Sequence, residues 1–110
     1  MNYGEIIDIL REEGTAYELG YNEIGYNTGR TVNGSYARFV KGVGEYIEVD
    51  KYGGEGQGDT WYSIKYFPDH DIYIKVEGYY SSYEGTSIEG WHCCTEVRPQ
   101  EKTIIVYNEV

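Results

Sequence analysis

Residues 61–80, Trp-Tyr-Ser-Ile-Lys-Tyr-Phe-Pro-Asp-His-Asp-Ile-Tyr-Ile-Lys-Val-Glu-Gly-Tyr-Tyr, constrain the fold more than any other stretch of the chain. Two runs rich in aromatic and β-branched residues flank a short polar break, Pro68 to Asp71. Strand formers on both sides of turn formers signal a β-hairpin. In the second run Ile72, Ile74 and Val76 share one face, and Tyr73, Lys75 and Glu77 share the other. In the first run Tyr62, Ile64 and Tyr66 alternate with Trp61, Ser63, Lys65 and Phe67. That alternation is the mark of strands with two different faces.

The rest of the chain is arranged around this hairpin. Asn2 to Glu13 reads as a helix, because Tyr3, Ile6, Ile7 and Leu10 form one apolar stripe. Asn2 and Glu5 have the spacing of a capping box, and Gly14 is a natural stop. Between Thr15 and Gly44 the pattern weakens. Tyr17-Glu-Leu19 reads as a short strand, Asn33-Gly34 as a turn, and Tyr36 to Val40 as a short strand or a pinned loop. Glu45 to Tyr52 alternates again, with Ile47 and Val49 on one face and Tyr46, Glu48 and Asp50 on the other. Residues 53–59 are a glycine-rich loop, residues 81–90 are turn-like, and Trp91–Val97 and Thr103–Tyr107 read as two further strands. Short connections between sequential strands favour a meander over parallel crossovers. The expected fold is therefore α+β, an N-terminal helix packed on a four- to six-stranded antiparallel sheet, in one domain. Its open sheet edges are compatible with a homodimer.

Composition narrows the function classes. The 19 acidic against 9 basic residues give a formal net charge of −10. Direct nucleic-acid or anionic-membrane binding needs the opposite sign, so the expected partners are basic proteins or none. No apolar run is long enough to span a membrane, and no basic-then-apolar leader opens the chain. The two cysteines, Cys93 and Cys94, are adjacent, a geometry that strains a mutual disulfide. Both are read as reduced, one inward and one outward, in a cytoplasmic protein.

Motifs for chemistry are sparse. The loop at residues 53–59 lacks the Gly-Lys-Ser/Thr that opens a P-loop helix, and its Glu55 and Asp59 repel phosphate. Asp69 and Asp71 have no EF-hand spacing. His70, His92 and Cys94 could hold a metal only if the strands bring them together, since adjacent cysteines do not reach one zinc ion. Neither a serine-hydrolase elbow nor a helical His-Glu-x-x-His occurs. No catalytic residue, cofactor or metal site is assigned.

The most site-like feature is aromatic. Tyr79, Tyr80 and Tyr83 lie among serines and a glycine, with Trp91 close behind. Tyr and Trp combine large rigid area with a polar handle and are enriched at hot spots. Two readings fit, a protein interface and plain cross-strand packing. Glu45, Glu48, Asp50, Glu55 and Asp59 form the densest acidic group of the strand region. Spread at phosphate-like spacings, such carboxylates would occupy the basic groove of a nuclease or another nucleic-acid enzyme.

Residues 53–107 also resemble a known group. Gly53-Gly-Glu-Gly-Gln-Gly-Asp59, Tyr66-Phe-x-Asp-His-Asp-x-Tyr-x-Lys-Val-x-Gly-Tyr-Tyr-Ser-Ser-Tyr-x-Gly-Thr86 and Glu96-Val-x-Pro-x-Glu-Lys-Thr-Ile-x-Val-Tyr107 are similar to small acidic proteins encoded by tailed bacteriophages. The resemblance implies expression inside an infected bacterial cell and carries no site residues with it. Accessory phage proteins commonly inhibit host enzymes or defence systems, so the expected function is a non-enzymatic inhibitor of a host protein. The alternatives are a nucleotide binder that stacks a base on tyrosines, and a small metal-dependent enzyme using His70, His92 and Cys94.

Overall fold

The computed structural model describes residues 1–32, 34–53, 60–81, 85–100 and 107–109. Two helices, α1 (Tyr3–Glu13) and α2 (Ala16–Gly20), precede the strands β1 (Tyr26–Val32), β2 (Ser35–Val40), β3 (Gly44–Tyr52), β4 (Thr60–Phe67), β5 (Ile72–Ser81), β6 (Gly85–Ser87) and β7 (Cys94–Val97). Every pairing among the described residues is antiparallel, and the strands follow one another as a meander from β1 to β6. β7 also pairs β5. It takes the stretch Tyr73–Val76, while β6 takes Tyr79–Ser81, so the two short strands share the outer edge of β5. The chain is α+β, as the hairpin and the amphipathic N-terminus predict.

Both helices start on the same device. Asn2 Oδ1 accepts from the Glu5 amide (2.9 Å) and Glu5 returns a bond to the Asn2 amide (3.1 Å). Thr15 and Glu18 repeat this reciprocal arrangement at the head of α2. Each box satisfies amide donors that the first helical turn leaves unpaired. The short strand expected at Tyr17–Leu19 is thus a helical turn, and the Thr15-x-x-Glu18 box is the reason. α1 buries Ile6, Ile7 and Leu10, and α2 buries Ala16 and Leu19, all against one face of the sheet. That face supplies Val40, Tyr46, Phe67, Ile72, Ile74, Val76 and Cys94 to the same core.

The segment between α2 and β1 is tied down by side chains rather than by a ladder. Arg38 donates to the carbonyls of Ile24 (3.1 Å) and Glu23 (3.2 Å), and the buried Tyr46 hydroxyl donates to Ile24 O (2.8 Å). Gly25 sits at φ +81°, where a Cβ would stand 2.3 Å from the Phe39 carbonyl oxygen. Only glycine fits that close backbone approach.

Three expectations from the sequence change in detail. The ladder between β3 and β4 skips a residue between Glu48 and Asp50, leaving Val49 as a bulge. A bulge flips the parity of all that follows it, so Asp50 and Glu48 point to opposite faces. Trp91–Cys93 is a 3₁₀ turn, and the strand begins at Cys94. The turn-like stretch 81–90 contains β6. The strand expected at Thr103–Tyr107 and the glycine-rich loop lie, apart from Gly53 and Tyr107, outside the described residues.

Candidate functional site: an uncovered aromatic sheet face

The side of the sheet opposite the helices is built by cross-strand register. Tyr66 stands opposite both Ile47 and Tyr73, and Tyr73 opposite Val97. Asp50, Ile64, Lys75 and Thr95 form the next row, and Tyr52, Tyr62 and Glu77 the one after. Tyr79, opposite Thr60 and Ser87, closes the surface. The rings pack on each other: Tyr66 and Tyr73 stack with centroids 4.3 Å apart, and Tyr52 and Tyr62 at 5.6 Å. The Lys75 ammonium lies 4.7 Å from the centre of the Tyr62 ring. Offset stacking and a cation over a ring hold these side chains in fixed positions, with no covering layer among the described residues.

Polar groups fix the phenol ends. Tyr62 donates to Asp50 (3.3 Å) and Tyr66 to Asp71 (3.2 Å), whose second oxygen takes a bond from Arg98 (3.0 Å). Beside each carboxylate the phenol is harder to ionise: burial raises the Tyr66 pKa first, and the Asp71 bond and charge raise it further. The face therefore presents neutral rings, rigidly placed, with carboxylates at its margin.

The residues singled out in the sequence distribute unevenly over this geometry. Tyr79 is 58% exposed and lies on the open face. Tyr80, its neighbour on β5, points to the helix side and is half-buried. Trp91 is half-buried and packs against the core at the 3₁₀ turn. Tyr83, Glu55 and Asp59 lie outside the described residues. Glu45 is ion-paired with Arg30. Asp50 accepts from Tyr62 on the open face, whereas Glu48 turns inward. These three acids thus make no single outward row. The rings the sequence did not single out, Tyr52, Tyr62, Tyr66 and Tyr73, form the larger part of the aromatic surface. The signal for Tyr62, Tyr66 and Tyr73 was the alternation of β4 and β5 itself, which puts them at outward positions.

On the inward side of β4, Lys65 is 0% exposed and bonds Glu48 Oε2 at 2.8 Å. The buried Ser63 hydroxyl donates to the same oxygen at 2.8 Å. Burial pushes the Lys65 ammonium below its ordinary pKa, and the bond and charge of Glu48 offset part of that effect. For Glu48 burial alone would raise the carboxyl, but the Lys65 bond and charge and the Ser63 bond outweigh it and hold the carboxyl below the usual range.

The histidines and cysteines are separated. His70 donates through Nε2 to the Val43 carbonyl (2.7 Å), locking the β4–β5 turn to the β2–β3 turn. His92 is exposed beside Glu89 on the 3₁₀ turn, so it does not share a strand face with buried Cys94. Burial, helped by the neighbouring Cys93, pushes the Cys94 thiol up to about 12, which keeps it protonated and unreactive. Both cysteines are free thiols. Among the described residues no three His, Cys, Asp or Glu side chains come together as a metal site, and no helix is long and apolar enough to cross a membrane.

No protein-family model, curated protein or solved structure matches the chain.

Proposed function

We propose that this protein binds another protein, one with a basic surface, through the uncovered face of its sheet, and that it acts by blocking that partner. The observation that carries the reading is the stacked set Tyr52–Tyr62 and Tyr66–Tyr73 on a face that, among the described residues, no helix covers. Rings already held in place lose little side-chain entropy on docking, and Tyr is among the residues that dominate interface energetics. Asp50, together with the net charge of −10, favours a positively charged partner and speeds the encounter. The resemblance of residues 53–107 to small phage proteins supports a bacterial host protein as the target. Among the described residues Glu45, Glu48 and Asp50 form no single outward row, so the reading rests on the aromatic face and not on imitation of DNA.

The test is capture from bacterial lysate with tagged wild-type protein and with the double variant Tyr73→Ser/Tyr79→Ser, each washed at low and high salt. The expected result is a defined protein retained by the wild type, reduced by high salt and lost with the variant, whose circular dichroism stays native. Equal capture by both forms, or capture by neither, would overturn the reading.

A further inference from the structure

We propose that a cleft between β2 and β3, on the helix side of the sheet, binds a planar small molecule through an edge of N–H donors, as a guanine base presents. This goes beyond the protein-binding face, which lies on the other side of the sheet. The cleft exists because two neighbouring strands part. β2 and β3 pair only from Val40↔Gly44 to Arg38↔Tyr46. Beyond that rung Ser35 and Tyr36 diverge from Glu48 and Lys51, and Tyr21, Asn22 and Trp61 close the far side. The opening holds about 300 Å³, at the lower end of small-molecule sites.

Its lining has a definite polarity. Glu48 is the exposed head of a buried group, with its side chain 26% accessible while Lys65 behind it is not accessible at all. Lys65 and Ser63 both bond Oε2, and among the described residues none donates to Oε1. The carboxylate is therefore fixed in orientation with one oxygen uncommitted. Asn22 supplies a second free acceptor: its amide nitrogen reaches the Tyr36 carbonyl (3.4 Å), while its buried Oδ1 receives no bond among the described residues. A buried acceptor without a donor costs free energy that a ligand N–H recovers. The residue holding it sits at φ 62°, a strained region for a side chain other than glycine.

The walls are aromatic. Tyr21 stacks on Trp61 with centroids 5.4 Å apart, and Tyr36, 53% exposed, stands on the opposite strand. Two acceptors between rings select a flat ligand with adjacent donors. Guanine offers N1–H beside its exocyclic amine, one donor for Glu48 Oε1 and one for Asn22 Oδ1. Uracil offers one N–H between two carbonyls, which repel it. Lys51 on the exposed rim can meet a phosphate on the sugar. Stacking plus hydrogen bonds along one edge is how extruded and single-stranded bases are read elsewhere.

The experiment titrates the wild-type protein with guanosine, guanosine 5′-monophosphate and uridine at millimolar levels, following melting temperature and amide chemical shifts. Guanosine is expected to raise Tm by about 4 °C near saturation, with shift changes confined to the residues around Asn22, Tyr36, Glu48 and Trp61. Uridine is expected to do neither. Asn22→Gly keeps the backbone conformation while removing the acceptor, and Tyr36→Ala removes the exposed wall. Each is expected to weaken guanosine binding by roughly tenfold, with Tyr73→Ser on the far face as the control that leaves it unchanged. No response to guanosine, an equal response to uridine, or full affinity in both cleft variants would overturn the proposal.

Discussion

The two faces of β4 invert the usual sorting of residues. The face toward the helices carries Trp61, Ser63, Lys65 and Phe67, and so encloses an ammonium and a hydroxyl. The face toward solvent carries Tyr62, Ile64 and Tyr66, two large rings and an aliphatic side chain. Hydropathy alone would exchange them. The difference teaches that placement here follows the supply of partners. Lys65 is tolerated inside because Glu48 meets it at 2.8 Å and the Val49 bulge separates Glu48 from the open-face acids. The tyrosines are tolerated outside because each keeps a hydroxyl for water or a carboxylate while its ring rests on a neighbour.

The largest effect expected from breaking this contrast is at Trp61. It is buried against Gly20, whose missing Cβ would stand 3.2 Å from the indole. Trp61→Ala should cost about 4 kcal/mol, read as a lower urea midpoint with unchanged slope. Next comes Glu48→Gln, which leaves Lys65 buried without its counter-charge. It should cost roughly 3 kcal/mol, and the double variant Glu48→Gln/Lys65→Met should recover most of the loss. A neutral single variant would show that the inner face does not depend on the pair.

The same pair predicts an acid limb in the stability profile. The folded carboxyl of Glu48 lies below its ordinary value of 4.5. Its contribution is therefore complete above that value and is lost as pH falls through the lower, folded one. The difference in unfolding free energy between wild type and Glu48→Gln should shrink as pH falls below ~5. A difference that does not change with pH would remove the ion pair from the account. The smallest effect belongs to the outer face. Tyr66→Ala, losing one stacked partner on an uncovered surface, should cost only about 1 kcal/mol. A loss as large as that of Trp61→Ala would mean the outer face is core after all.

How much of this was legible depends on which force wrote each element. The hairpin of β4 and β5 was readable as two alternating strands, because alternation there runs unbroken through eight paired rungs, but which face of β4 is buried was not. α1 announced itself by its stripe and by Asn2 and Glu5. The Thr15–Glu18 box carries the same signal, yet five helical residues are too few for a 3.6-residue period to outweigh the alternation of Tyr17, Glu18 and Leu19. β1 has no buried residue, so it shows no alternation to find. The Val49 bulge leaves no trace in composition, and it alone moves Asp50 off the face of Glu48. Of the candidate site, the outward tyrosines were implied by register. Parity puts Lys65 on the face of Trp61, Ser63 and Phe67, and only the structure shows that face to be the inner one, where a lysine needs a buried carboxylate. The cleft was not legible, because it arises where two strands stop pairing.

That handover within β3 has a consequence for how the native state breathes. Gly44, Glu45 and Tyr46 belong to the ladder with β2, and the residues from Ile47 onward to the ladder with β4. The β1–β2 hairpin can therefore detach without opening a rung of the central sheet. Native-state hydrogen exchange should resolve two tiers of amide protection, a shallow one over Tyr26–Val40 and a deep one over Thr60–Val76, with the seam at Tyr46. A molecule seated in the cleft would touch both sides of that seam and fuse the two tiers into one.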